Sequence, residues 1–169
     1  GVPQGGVVSP LLANVYLHWF DKVFHRSDGP INWAQARLVR YADDLVVMAR
    51  YQSPGLKDWV SQQLEDWLGL ELNREKTSEV DLRKNGRLDF LGHTFSYDRD
   101  LKGGGWRYLN IAPSKKSLKR ARETIRARTG PKTCFKPTPE IVGELNEYLR
   151  GWGQYFSFGY PRKAYNALN

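Results

Sequence analysis

Two adjacent aspartates, Asp43 and Asp44, interrupt a stretch that otherwise reads as strand. Arg37-Leu38-Val39-Arg40-Tyr41-Ala42 leads in and Leu45-Val46-Val47-Met48-Ala49 leads out. Aspartate is disfavoured in strands and costly to bury unpaired, so the pair calls for a turn, a cation, or both. Ordinary turn chemistry would account for an isolated Asp-Asp. The choice between the two therefore rests on the rest of the chain, and the first consequence is architectural: a strand hairpin with carboxylates at its tip.

Around this hairpin the periodicity predicts helices and antiparallel strands. Ser9-Pro10 suits a helix start, with Ser9 as cap and Pro10 in the first turn. From there Leu11, Leu12, Val15, Tyr16, Trp19, Phe20, Val23 and Phe24 recur at helical spacing and predict a largely buried helix, broken at Ser27-Asp28-Gly29-Pro30. A second helix after Ser53-Pro54 carries Leu56, Val60, Leu64, Trp67 and Leu68 on one stripe and stops at Gly69. Strand signals span Leu88 to Tyr97, with Gly92 a bulge or a point of close approach, and Trp106 to Ile111 pairs with them across Gly103-Gly104-Gly105. There is no internal repeat. The expected class is α+β, an antiparallel sheet with helices packed on one face.

Charge divides the chain in two. Residues 1–112 balance 14 Lys/Arg against 14 Asp/Glu, whereas residues 113–169 carry 12 against 4, so the whole net charge of +8 lies in the last third. After Pro113-Ser114 a helix is expected with Leu118, Ala121 and Ile125 on a thin apolar stripe and Lys115, Lys119, Arg122 and Arg126 beside it. A loop then runs from Thr129 to Pro139. Next comes a helix bearing Ile141, Leu145, Tyr148, Leu149, Trp152 and Phe156, ending near Tyr160-Pro161, and another begins at Ala164. Cations with interleaved aromatics point to nucleic acid, and phosphate contact falls first to Lys115, Lys116, Lys119, Arg120, Arg122 and Arg126. The helical spacing of Trp152, Tyr155 and Phe156 argues for packing rather than base stacking. The expected domains are 1–112 and 113–169.

Other functions are disfavoured by composition. With 40% hydrophobic and 13% aromatic residues the chain is expected to fold. Cys134 is the single cysteine, which excludes an internal disulfide framework and a cysteine-based zinc site. His18 reads as helix surface and His93 as a strand residue. No stretch approaches about 18 apolar residues and no leader opens the chain, so a soluble, intracellular protein without a membrane partner is expected.

Four blocks in order, Gly1-Val2-Pro3-Gln4-Gly5-Gly6 through Asn14, Tyr41-Ala42-Asp43-Asp44, Leu70-Glu71-Leu72-Asn73-Arg74-Glu75-Lys76-Thr77 and Phe90-Leu91-Gly92, resemble the later blocks of reverse transcriptases. Their wording is similar to the group II intron-encoded reverse transcriptase and maturase family. Leu149-Arg150-Gly151-Trp152-Gly153-Gln154-Tyr155-Phe156 resembles that family's thumb, or domain X. The resemblance covers nearly the whole chain.

It implies a partial polymerase palm followed by a helical, basic thumb, and an intact protein that copies RNA into DNA from deoxynucleotides with two magnesium ions. Asp43 and Asp44 would be metal ligands, Asp43 the more direct. Tyr41 and Ala42 would lie by the primer end or incoming nucleotide, Gln4 and Gly5 at the nascent pair, and Leu91 and Gly92 against the primer backbone. Lys76 would assist the leaving pyrophosphate, although an ordinary lysine pKa near 10.4 makes proton donation demanding. The partners implied are template RNA, primer DNA and the intron RNA whose splicing the protein aids, in a retroelement ribonucleoprotein of the bacterial cytoplasm or an organelle. The family's earlier carboxylate and its triphosphate-gripping residues have no counterpart from Gly1 onward. The expectation is the later part of a longer protein, inactive alone, whether an engineered fragment, a proteolytic product or a piece of a split gene. Two other readings stay open: a non-catalytic RNA-binding maturase, and a reverse transcriptase of a defence-associated or diversity-generating lineage.

Overall fold

The computed structural model describes residues 8–51, 53–100 and 104–168. The chain is α+β and divides into two compact units, residues 1–78 and residues 79–169. The change of charge at residue 113 thus falls inside the second unit.

In the first unit, helix α1 (Ser9–Phe24) and a short turn of helix, α2 (Pro30–Trp33), precede the hairpin of β1 (Ala36–Tyr41) and β2 (Asp44–Ala49). The strands pair antiparallel with Ala36 opposite Ala49 and Tyr41 opposite Asp44, leaving a two-residue loop of Ala42 and Asp43. Alternation along β1 turns Ala36, Leu38 and Arg40 inward and exposes Arg37, Val39 and Tyr41. Helix α3 (Pro54–Ser61) follows, and its last turns, Gln62–Trp67, widen to π-helical hydrogen bonding. Gly69, at φ +63, ends it.

The core of this unit is Leu17, Phe20 and Phe24 from α1, Ala34, Ala36, and Leu64 and Leu68 from the π-helical end that follows α3. Trp59 packs at 6.0 Å from the Phe20 ring and edge-on at 5.9 Å from Phe24. Truncating a fully buried phenylalanine of this kind costs about 3–5 kcal/mol.

Helix α1 departs from expectation in two ways. Ser9 lies inside the helix, and the cap position is Val8, which makes no side-chain cap hydrogen bond. Only Leu17, Phe20 and Phe24 are buried; Leu11, Leu12, Val15 and Tyr16 are exposed among the described residues. Helical spacing correctly aligned these residues, but alignment on a face does not supply a neighbour to cover it. Trp67 likewise leaves the expected stripe: it is 67% exposed and stacks on Trp19 at 5.0 Å, because the widened turn rotates it away from Leu64 and Leu68.

The second unit is a three-stranded antiparallel meander, β3 (Arg87–Phe90), β4 (His93–Arg99) and β5 (Arg107–Pro113), followed by α4 (Lys115–Thr129), α5 (Thr138–Tyr155) and α6 (Arg162–Asn166). The stretch Leu88 to Tyr97 is therefore two strands, not one. Phe90 pairs with His93, and Leu91-Gly92 forms the reversal, with φ of +47 and +78. Two consecutive positive φ values are what a tight hairpin demands, and a leucine in the first of them is costly.

Ser114 caps α4 by accepting from the Ser117 backbone N–H at 3.2 Å. The helices are tied by backbone carbonyls meeting side chains. Arg128 Nη1 donates to the Glu144 carbonyl at 3.0 Å, and Tyr165 Oη donates to those of Gly153 and Phe156 at 3.0 and 3.1 Å. Phe156 is 5% exposed and packs on His93 and on the half-buried Trp152, at 4.8 and 4.7 Å, so Phe156 is core as its spacing suggested. Tyr155 is exposed. Among the described residues no helix is long and apolar enough to cross a membrane.

Candidate functional site

The hairpin tip brings Tyr41, Ala42, Asp43 and Asp44 together. The carboxylates of Asp43 and Asp44 are exposed, and among the described residues neither accepts a side-chain hydrogen bond nor pairs with a cation. Ala42, in the first loop position, has φ +54, a conformation for which two-residue hairpins normally recruit glycine. The rigidity of the strands on either side fixes where the carboxylates project.

A charged cluster that sequence reasoning passed over lies beneath this tip. Arg40 occupies the inward face of β1, its side chain only 13% exposed. Its Nε donates to Asp21 Oδ1 at 3.0 Å and its Nη2 to Asp21 Oδ2 at 2.6 Å. Its Nη1 donates to Asn14 Oδ1 and to the Ala42 carbonyl, both at 2.9 Å. The hydrogen-bonded Asp21 carboxylate holds the guanidinium above its ordinary pKa, against the opposing effect of burial. The only sequence signal was an arginine placed on the core side of an alternating strand.

Lys76 sits on a separate turn of the first unit. Its backbone N–H donates to the carbonyl and the side-chain Oδ1 of Asn73, both at 3.1 Å, and Thr77 Oγ1 donates to the Asn73 carbonyl at 2.9 Å. Asn73 thus folds the turn that presents Lys76. The exposed ammonium has no partner among the described residues, Asp43 and Asp44 included. Gln4 and Gly5 lie outside the described residues.

In the second unit, the Leu91-Gly92 turn lines a cleft with Ser114, Lys116, Ser117 and Arg120. The Gly92 carbonyl accepts from the Ser114 backbone N–H and from Ser117 Oγ, both at 2.8 Å. The Leu91 carbonyl accepts from Tyr155 Oη at 2.9 Å. Ser117 is a further residue the sequence did not single out, and Tyr155, expected to pack, instead bonds this turn from an exposed position. A Cβ on Gly92 would stand 3.0 Å from Ser117 Oγ, so both the close approach and the positive φ favour glycine there.

Lys115, Lys116, Lys119, Arg120, Arg122 and Arg126 of α4 are exposed, whereas Arg128 is half-buried, and the exposed ones are not equivalent. Arg122 is engaged by packing: its Nε and Nη2 donate to the Ala167 carbonyl at 3.2 and 3.1 Å. Lys119 stands 3.9 Å from Glu123. Lys115, Lys116, Arg120 and Arg126 form no ion pair among the described residues, and only Lys116 and Arg120 also line the cleft.

Residues 1–95 match the family described as reverse transcriptase (RNA-dependent DNA polymerase). The chain belongs to the reverse transcriptase family. Residues 118–169 match the group II intron, maturase-specific domain, which identifies the group II intron reverse transcriptase and maturase branch over the other lineages. The chain is similar to Protein YkfC of Escherichia coli (strain K12), 32% identical over 146 residues, covering 69% of this chain and 38% of that protein. It therefore spans well under half the length of the curated relative it matches.

Among the described residues no group of three or more His, Cys, Asp or Glu is gathered to hold a metal. Asp43 and Asp44 nevertheless suit a hard divalent cation: they are oxygen donors, adjacent and uncommitted to any protein cation. They can furnish part of a divalent-cation site.

Proposed function

We propose that this chain carries the metal-binding hairpin and the RNA-binding thumb of a group II intron-type reverse transcriptase, an RNA-directed DNA polymerase that also assists splicing. The observation that carries the reading is the pair of uncommitted carboxylates, Asp43 and Asp44, held at a rigid hairpin tip inside the segment that matches the family. Magnesium bound there would activate the primer hydroxyl and neutralise charge on the departing pyrophosphate. Asp43 serves as the principal ligand and Asp44 as its companion. Asp43 and Asp44 supply two of the oxygen ligands that a two-metal site requires.

The remaining roles follow from chemistry and position. Tyr41 and Ala42 border the nucleotide, and Gln4 and Gly5 meet the nascent pair. Lys76 presents a solvent-facing cation able to accompany a leaving pyrophosphate. Leu91 and Gly92 lie against the primer backbone, and Lys115, Lys116, Lys119, Arg120 and Arg126 hold phosphates, with Arg122 contributing chiefly to packing. The substrates are deoxynucleoside triphosphates, and the partners are template RNA, primer DNA and a structured intron RNA within a cytoplasmic or organellar ribonucleoprotein.

The test is Asp43→Asn in a polymerising form of the protein, read by primer extension beside RNA binding and splicing rate. Loss of a ligand needed only for phosphoryl transfer should lower synthesis by at least roughly a thousandfold. RNA binding and splicing assistance should stay near wild type. Retained polymerisation refutes the ligand assignment; joint loss of both activities in a folded protein refutes their separation.

A further inference from the structure

We propose that Arg40 is the positioning residue for the Asp43-Asp44 pair, acting as a clamp that fixes the hairpin turn to helix α1. The proposal rests on the reading of that pair as metal ligands. Ala42 holds a positive φ without being glycine, so the turn is not the one its own sequence favours, and something outside the loop must hold it. Arg40 Nη1 reaches the Ala42 carbonyl at 2.9 Å, one residue before Asp43. The rest of the guanidinium is anchored on α1. Asp21 takes two of its donors, and Asn14, two helical turns earlier on the same face, shares Nη1.

The fork geometry is what makes the clamp. A planar guanidinium can serve a carboxylate on one edge and two oxygens on the other, whereas an ammonium offers its donors from a single point and cannot span both. Arginine is thus required for its shape and not only for its charge. The partners lie 19 and 26 residues upstream of Arg40, so one side chain transmits the position of helix α1 to the tip of the hairpin. The Arg40–Asp21 pair is largely shielded from solvent, with side chains 13% and 27% exposed, so the tie resists competition from water.

The experiment compares Arg40→Lys, Asn14→Ala and Asp43→Asn in a polymerising form of the protein. Three readouts are taken: amide hydrogen exchange over residues 38–47 without metal, single-turnover extension against magnesium concentration, and KM for the nucleotide. Arg40→Lys retains charge against Asp21 but releases the turn. Exchange at the tip should quicken by about tenfold or more. The extension rate should fall by about 10–100-fold, the usual cost of losing a residue that orients a ligand, with KM for the nucleotide within about threefold of wild type.

Asn14→Ala leaves the Arg40–Asp21 pair intact on an exposed site, and should move exchange and rate in the same direction by about three- to tenfold. Wild-type exchange and rate in both variants overturns the proposal. If Arg40→Lys fails to fold, Asn14→Ala decides alone. Should Asp43→Asn still polymerise, the ligand reading has failed while the exchange data still decide whether Arg40 fixes the turn. Should Asp43→Asn abolish synthesis while the other two behave as wild type, the clamp alone is refuted.

Discussion

Replacing Lys116 and Arg120 together by alanine removes the two cations that α4 contributes to the Leu91-Gly92 cleft, and the expected loss can be worked from their surroundings. Both side chains are exposed and neither forms an ion pair among the described residues, so truncation leaves no buried partner stranded. They lie four residues apart, on successive turns of one face, and each can meet its own phosphate. Each phosphate neutralised on a single strand contributes about 0.7 to the slope of log affinity against log salt. Losing two lowers the slope by roughly 1.4, which is about 25-fold in affinity near 0.1 M salt. Fluorescence anisotropy of a labelled single-stranded RNA, titrated across roughly a tenfold range of salt, measures this directly. Arg122→Ala supplies the contrast. Its guanidinium is spent on the Ala167 carbonyl, so its loss should cost stability, about 1 kcal/mol, and leave the salt slope unchanged. A double variant whose titration runs parallel to wild type would refute the placement of phosphates in the cleft.

Two further changes test the fold around the cleft. Leu91→Asn puts at φ +47 a residue that tolerates the left-handed region, and should raise denaturant stability by about 0.5–1 kcal/mol despite some lost apolar contact; a drop would mean that Leu91 packing outweighs its strain. Lys136 binds Glu144 and Glu140, its ammonium donating to Glu144 and lying 3.1 Å from Glu140. The hydrogen bond from Lys136 holds the Glu144 carboxyl below its ordinary range, and those to Glu144 and Glu140 hold the Lys136 ammonium above its own. The carboxylate's contribution is present above the unfolded value near 4.5 and is lost as pH falls through the lower folded value. The ammonium's contribution is present below 10.5 and is lost as pH rises through the higher folded value. Thermal unfolding of wild type and Lys136→Ala should therefore differ most between about pH 5 and 9 and converge toward pH 3; a constant gap would remove the pair from the pH response.

What the sequence disclosed depended on whether its cause was local. The aspartate hairpin was legible because period-two alternation and turn residues act within a dozen residues, and the start of α4 after Pro113-Ser114 was legible because it too is set by neighbouring residues, Ser114 bonding only three residues ahead. Leu91-Gly92 was misread as part of one strand because leucine gives no signal for positive φ, and the surrounding sheet imposes it. The exposure of Leu11, Leu12 and Val15 was invisible to periodicity, which ranks the faces of a helix without saying what meets them. Arg40 was missed for a related reason: Asp21 and Asn14 become its neighbours only when α1 packs on the hairpin.

The double acceptance by the Gly92 carbonyl has a mechanical meaning. One oxygen takes the backbone N–H of Ser114 and the hydroxyl of Ser117, the cap and the first turn of α4, while the adjacent Leu91 carbonyl takes Tyr155 at the end of α5. The reversal between β3 and β4 is thereby bolted to the start of one long helix and the finish of another. A push on that reversal is delivered to both helices as a lever is turned at its fulcrum, without any loop to absorb the stroke. On the function proposed above, a strand of nucleic acid held against Leu91 would bear directly on α4, the helix that carries Lys116 and Arg120.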